Sequence, residues 1–315
     1  MVDNVNMDGD EILRISSPLM LQLLQYINTA DLNTADILRI LDNLRVLNEQ
    51  GFVGVLDFDS VIGIKPITIL IPYDTRVTVS VPDYRDYSYT IKIEPDSLRE
   101  SVDLRQWDSI VESQANIGSC VGNSITNAYE LIVKQKDPDN FVELSRLFVY
   151  YNSRLIEGLE KHDAGTSIRS ALKSCQIYGI CTEKLWPYDV EKFAVEPTKE
   201  CYEDGLKRKI TNYRRLYNLN AIMDVLNDNY PAIVGISIYR SFYYVNQSNP
   251  VISLPSVFEE YEGDHAVCMV GYDTSKKLFL IKNSFGNDWG DQGYAWLPFE
   301  YCKKYMFEAW VFDII

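Results

Sequence analysis

Histidine is nearly absent from this chain: its 315 residues include only His162 and His265. The six cysteines, Cys120, Cys175, Cys181, Cys201, Cys268 and Cys302, contain no C-x-x-C pair. With so little imidazole and no ligand spacing, a zinc site is not expected, and neither is any other cofactor. Positive charge is also in deficit. The formal net charge of −15 repels phosphate and argues against nucleic acid as a partner. No apolar run reaches the ~18 residues of a membrane span; residues 67–71 are short enough for a buried strand, and no membrane partner is expected. The amino terminus lacks the basic start and apolar stretch of an export signal. A cytoplasmic protein with reduced thiols is therefore expected, its cysteines other than Cys120 serving as small buried apolar side chains. Internal repeats and low-complexity linkers are missing as well.

The chain does have apolar substance. Hydrophobic residues make up 46%, enough for a packed core. Residues 1–99 read as an N-terminal α/β segment. Ser17 is a candidate N-cap with Pro18 at the first helical position, and Ile37, Ile40, Leu41, Leu44 and Leu47 share one helical face before Gly51. Val77, Val79 and Val81, then Tyr89, Ile91 and Ile93, alternate with polar residues as strands do. From residue 100 onward helices come first. Val121, Ile125, Ala128, Tyr129 and Ile132 line one face behind Cys120, and residues 144–155 and 167–174 continue the pattern. Strands follow at 232–239, 266–272, 278–283 and 294–297. Helices first and strands second predict an α+β domain, 100–315, with a cleft between a helical lobe and a β-rich lobe.

Within that domain three residues have matched chemistry. Cys120 sits in Gln114-Ala-Asn-Ile-Gly-Ser-Cys120, where a helix begins. Helix N-termini carry unpaired N–H groups and a positive dipole end that favour a thiolate. His265 opens an apolar run, fitting a ring that takes the thiol proton and returns it to a leaving amine. Asn283 can orient that ring through the other nitrogen, under the cover of Phe285 and Trp289. Gln114 can aim its amide at the oxygen of an attacked carbonyl. His162 lies in Glu160-Lys-His-Asp163, which reads as a solvated loop, so His265 is the expected base.

These stretches resemble the papain-like cysteine peptidases over residues 100–315. The resemblance rests on the Gln114-to-Cys120 spacing, Gly263-Asp-His265-Ala-Val267, Gly271-Tyr272, and Asn283-Ser-x-Gly286 followed by Trp289-Gly290-x-x-Gly293-Tyr294. The His also falls within the family's ~130–150 residues downstream of the Cys. It implies a papain-like two-lobed fold and hydrolysis of a polypeptide substrate through an acyl-enzyme. Cys120 would be the nucleophile, His265 the base and acid, Asn283 the orienting amide and Gln114 the oxyanion donor. Gly165 would pair with an extended substrate, with Gly118 and Ser119 beside the nucleophile. Gly235 and Ala266 would form pocket wall, Asp264 would tune His265, and Phe285 would cover the Asn–His pair.

There are departures from the family pattern. Ile117 stands where secreted members have a disulfide cysteine, Val121 replaces an aromatic, and Phe285 replaces a Trp. With Leu144-Ser-Arg-Leu-Phe-Val-Tyr-Tyr151 and Leu185-Trp-Pro-Tyr188, the pattern is similar to the branch found in prokaryotes and large DNA viruses, so a virion is the alternative location. Residues 1–99 lack the usual propeptide motif. Their position predicts a segment folded over the cleft that holds an endopeptidase latent, as in a zymogen; a permanent accessory domain is the alternative. Exopeptidase or transpeptidase action, with residues 241–262 as a blocking loop, and a non-catalytic binding protein of the same fold are the competing functions.

Overall fold

The computed structural model describes residues 75–81, 83, 86–93, 97–256 and 258–314. The helices expected over residues 17–27 and 37–47 and the strand at 67–71 lie outside them. The chain divides into two compact units, residues 71–254 with 262–315 and residues 1–70 with 255–261. In the smaller unit a turn closes on itself: the Glu259 N–H donates to the Ser256 carbonyl and the Ser256 N–H to the Glu259 carboxylate, each at 3.1 Å.

After one short strand at Ser101–Asp103, the larger unit forms helices α1 (Cys120–Lys136), α2 (Arg146–Glu157), α3 (Ile168–Tyr178) and α4 (Lys199–Gly205). Helix α1 is buried at every position from Cys120 to Ile132. Such a helix is core rather than surface, which is why its polar residues bond inward: Ser124 and Thr126 hydroxyls donate to the Cys120 and Gly122 carbonyls. Helix α2 crosses closely at Gly122, where a Cβ would come within 2.7 Å of the Arg146 carbonyl oxygen. Ser145 caps α2 by accepting from the Phe148 N–H, and left-handed Gly158 ends it. Ser167 caps α3 in the same way through Ser170.

The second half is a seven-stranded sheet: β1 (Ser101–Asp103), β2 (Ile210–Arg215), β3 (Ala232–Tyr239), β4 (Tyr261–Asp273), β5 (Leu278–Lys282), β6 (Tyr294–Pro298) and β7 (Met306–Ile314). The spatial order is β2-β7-β3-β4-β5-β6, with β1 on β4. Helices α5 (Leu219–Asn227) and α6 (Phe299–Tyr305) flank it. The expected α+β architecture is present. One apolar cluster runs from α1 and α3 into the sheet, and a second fills the helical part around Phe148, Tyr150 and Trp186. No described helix is long and apolar enough to cross a membrane.

A buried ion pair ties the chain entering the domain to the sheet. Lys282 Nζ lies 2.9 Å from Asp108 Oδ1 and donates to the Ser109 carbonyl at 3.0 Å, while the Tyr294 hydroxyl donates to Asp108 Oδ2 at 2.9 Å. With every partner satisfied, this pair fixes geometry more than it adds stability. The residue after Lys282 is Asn283, so the pair sets where that amide stands.

Neither stretch expected as a strand forms one: 77–81 holds a single isolated bridge, Val77 to Thr166, and 89–93 holds none, the nearest being Ser88 to Arg215. Each finds only a short partner edge or none. Further along, the fully buried Asp224 carboxylate accepts from the Tyr89 hydroxyl (3.0 Å), the Lys92 N–H (2.8 Å) and the Ile93 N–H (3.2 Å). Arg169 holds the intervening loop, paired with Asp86 and donating to the Val81 carbonyl. Replacing Asp224 by Ala strands three donors and is expected to cost about 2 kcal/mol in denaturant unfolding, against about 1 kcal/mol for Tyr89→Phe, which removes one bond; equal stabilities would show that this anchor carries no load.

Candidate active site

The helical half presents Cys120 as the first residue of α1. Its N–H and those that follow have no intrahelical acceptor. The sheet presents His265 in β4 and Asn283 just past β5, two adjacent antiparallel strands with Cys268 opposite Lys282. Residues far apart in sequence are thereby brought together.

The His265 ring is fully buried, and its Nε2 lies 2.7 Å from Asn283 Oδ1. The Ser284 N–H donates to the same oxygen at 2.8 Å. Two donors converging on one atom assign it as the carbonyl oxygen of the amide. Nε2 must then carry the proton, and the neutral ring leaves its lone pair on Nδ1. Nδ1 is buried and makes no hydrogen bond among the described residues. The next N–H along β4, that of Ala266, points at the Cys120 sulfur. The residue that follows this base in β4 therefore meets the thiol.

Gln114 is buried and firmly aimed. Its Oε1 accepts the Ser284 hydroxyl at 2.6 Å, its Nε2 donates to the Ile117 carbonyl at 3.1 Å, and its backbone N–H donates to the Ser284 carbonyl at 2.8 Å. Ser284 thus braces Gln114 and Asn283 together, a role that sequence reasoning missed because serine gives no local signal.

Aromatic rings enclose the imidazole. Phe285 lies 4.9 Å from it between ring centres, and Phe242 meets it edge-on at 5.8 Å. Trp289 borders Phe242 and Phe285 and donates its indole N–H to the Phe242 carbonyl at 2.8 Å. Phe285 and Trp289 were expected here. Phe242 and Tyr243, from a 3-10 turn at Arg240–Tyr244, were not; only the run Phe242-Tyr-Tyr244 before a strand-poor stretch hinted at them.

The remaining expected residues fall as follows. Gly118 donates its N–H to Asp163 Oδ1 at 3.0 Å and abuts Gly165. The Ser119 hydroxyl is turned inward to Tyr188 (2.5 Å), leaving its backbone beside the sulfur. Gly165 has φ +70°, and a Cβ there would lie 2.0 Å from the Arg76 carbonyl oxygen. At Gly235 a Cβ would meet the Phe307 ring at 2.4 Å, so glycine makes room for that ring. Asp264 accepts the Ser237 hydroxyl at 2.8 Å. Ala266 is fully buried. His162 is exposed.

The N-terminal segment reaches these same residues. The Val77 N–H donates to the Asp264 carbonyl and the Thr78 N–H to the Thr166 carbonyl, both at 3.2 Å. The Arg76 guanidinium donates to the Asp163 carbonyl at 2.5 Å, and the Arg76 N–H points at the Cys120 sulfur. Cys120 and His265 have no exposed surface. Burial pushes the Cys120 thiol up to about 11, against the opposing pull of the Ala266 and Arg76 N–H groups. Burial likewise brings His265 down to about 4, offset in part by its bond to Asn283. The lowered thiol expected from a helix N-terminus is overridden, because desolvation penalises a charge on either group.

Comparison with known proteins shows what the chain is similar to. The family model described as papain family cysteine protease matches residues 98–308. An uncharacterized peptidase C1-like protein of Acanthamoeba polyphaga mimivirus is 32% identical over 244 residues, covering 72% of this chain and 78% of that one. The crystal structure of xylellain, a cysteine protease from Xylella fastidiosa, superposes with a TM-score of 0.70 at 33% identity, covering 76% of this chain and 96% of that one. Digestive procathepsin L 3 of Tenebrio molitor shares the fold, with a TM-score of 0.58 at 19% identity over 95% of this chain and all (100%) of that one.

The two shifted groups set a pH signature. A thiol raised from 9.0 to about 11 contributes stability that is present below pH 9 and lost as pH rises through 11. An imidazole lowered from 6.5 to about 4 contributes stability present above pH 6.5 and lost as pH falls towards 4. Between pH 9 and 11 the wild type should lose roughly 2–3 kcal/mol relative to Cys120→Ser in unfolding measurements; a constant difference would contradict the shift.

Proposed function

The chain belongs to the papain family of cysteine proteases and is a cysteine-type peptidase; from that premise we propose that it is an endopeptidase that works through Cys120, His265, Asn283 and Gln114 and is held latent by its own N-terminal segment. The observation that carries this reading is the 2.7 Å contact from His265 Nε2 to Asn283 Oδ1, which leaves Nδ1 as a buried lone pair next to the residue whose N–H meets the Cys120 sulfur.

With the segment displaced, water reaches both groups and the desolvation that keeps them neutral falls away. The thiol proton passes to Nδ1, Nε2–H stays on Asn283, and the thiolate attacks the substrate carbonyl carbon. The oxyanion is met by the Cys120 N–H and the Gln114 amide, each worth about 2.7–4 kcal/mol in such sites. His265 hands its proton to the departing amine, leaving a thioester. It then takes a proton from water, hydroxide adds to the thioester carbon, and collapse releases the acid and the thiol.

Latency is supported by the backbone contacts of Arg76 to Thr78. The Arg76 N–H faces the sulfur, so the segment's backbone stands where a substrate would approach it. We assign residues 100–315 to the peptidase domain and residues 1–99 to regulation, with 87–93 anchored on the domain through Asp224. Within the 241–254 stretch, Asn246 bridges Gly290 and Val251 bridges Trp296 of the edge strand β6, which ties that part of the candidate blocking loop to the sheet. Six unpaired, buried thiols support a reducing compartment.

Cys120→Ala is expected to abolish cleavage of a long peptide; undiminished turnover would reject the nucleophile. Val77→Pro deletes the N–H that meets Asp264 and should raise the rate of Cys120 alkylation in the full chain about tenfold. An unchanged rate would reject latency while leaving the catalytic assignment standing.

A further inference from the structure

The cover over the Asn283–His265 hydrogen bond has a second layer. Phe285 is a small ring for this position, and it lies on the imidazole at a centroid distance of 4.9 Å. Against Phe285 lies Tyr243, its ring parallel to within 4° at 5.7 Å. Phe242 closes one side, perpendicular to both His265 (73°) and Phe285 (88°), and Trp289 closes another, edge-on to Phe285 at 84°. Phe242, Phe285 and Trp289 are buried, whereas Tyr243 is half-buried. Of the four rings, Tyr243 alone carries partial exposure, so it forms the outer layer between Phe285 and solvent.

We propose that Tyr243 is a positioning residue of the reaction: its stacked ring completes the shield that a single phenylalanine starts, and so keeps water from competing with Asn283 for the His265 Nε2–H.

The physical argument concerns competition. A hydrogen bond kept from water retains its strength, whereas one open to water exchanges partners at little net cost. If water took the place of Asn283 Oδ1, the ring could rotate, and Nδ1 would no longer be held towards the sulfur. Parallel stacking immobilises Phe285 as well as covering it, and such ring pairs are worth about 0.5–1.5 kcal/mol beyond their burial. The charged groups nearby are engaged elsewhere. Asp264, the neighbour of His265 in β4, accepts from Ser237, and Arg240, in the same turn as Tyr243, pairs with Glu262 at 3.0 Å.

The proposal rests on the His265–Asn283 reading, and one proton reports on both. The chain has two histidines, and His162 is exposed, so a slowly exchanging imidazole N–H can come only from His265. Proton NMR of the full chain, and of its Val77→Pro variant, should show that resonance in the wild type and in Tyr243→Phe. It should be lost to solvent exchange in Tyr243→Ala and weakened in Tyr243→Leu, which keeps apolar bulk without a flat ring. Because Tyr243 is half-buried, truncation leaves the core closed, and Tyr243→Leu serves as a second variant. In peptide hydrolysis by the Val77→Pro chain, Tyr243→Ala should lower kcat about tenfold with KM little changed. A resonance that persists in Tyr243→Ala, or a kcat equal to that of Tyr243→Phe, overturns the proposal. A resonance that persists in Asn283→Ala overturns the underlying site reading instead.

Discussion

The structure depends on one hydrogen bond, from the His265 ring to Asn283, held away from water. It fixes which imidazole nitrogen carries the proton and which offers a lone pair. Much of the surrounding fold serves to hold it. The Lys282–Asp108 pair fixes the end of β5 immediately before Asn283, Ser284 joins that amide to Gln114, and the aromatic rings close over the ring itself. Strand β4 supplies the histidine, the residue just past its neighbour β5 supplies the asparagine, and a helix buried from Cys120 to Ile132 supplies the sulfur, so rigid elements anchor the geometry.

The same enclosure that orders these groups opposes their ionisation. Burial raises the thiol and lowers the imidazole, so the closed arrangement favours two neutral partners. A helix N-terminus contributes partial charges, which cannot match the loss of water around a full charge. On the latency proposed above, the N-terminal segment would act in two ways: its backbone contacts at Asp264 and Thr166 would block an extended substrate, and its cover over Cys120 would keep that thiol neutral.

Much of this was legible in the sequence. Cys120, His265, Asn283 and Gln114 stood in recognisable local contexts, and the helices behind Cys120 and the strands of the second half showed clear periodicity. Helix α5 was missed because its nine residues are too few for a convincing repeat. Strands β2 and β7 were missed because pairing across the sheet, not local pattern, defines them. Tyr243 meets Phe285 and the Ser284 hydroxyl meets Gln114 far along the chain, so no spacing announces those contacts. The alternation at 77–81 gave a strand where the structure has one isolated bridge, because alternation does not say whether a partner strand is available. The expectation of a low thiol pKa weighed the helix dipole and a nearby imidazolium but not the loss of water around the sulfur.

The central claim is that Cys120 is a neutral thiol in the closed full chain and ionises beside His265 once the segment leaves. Thiolate ultraviolet absorbance, taken as the difference between wild type and Cys120→Ser at neutral pH, tests it directly. The account predicts no thiolate signal in the full chain and a clear one after displacement of residues 76–78. A thiolate already present in the closed full chain would contradict it.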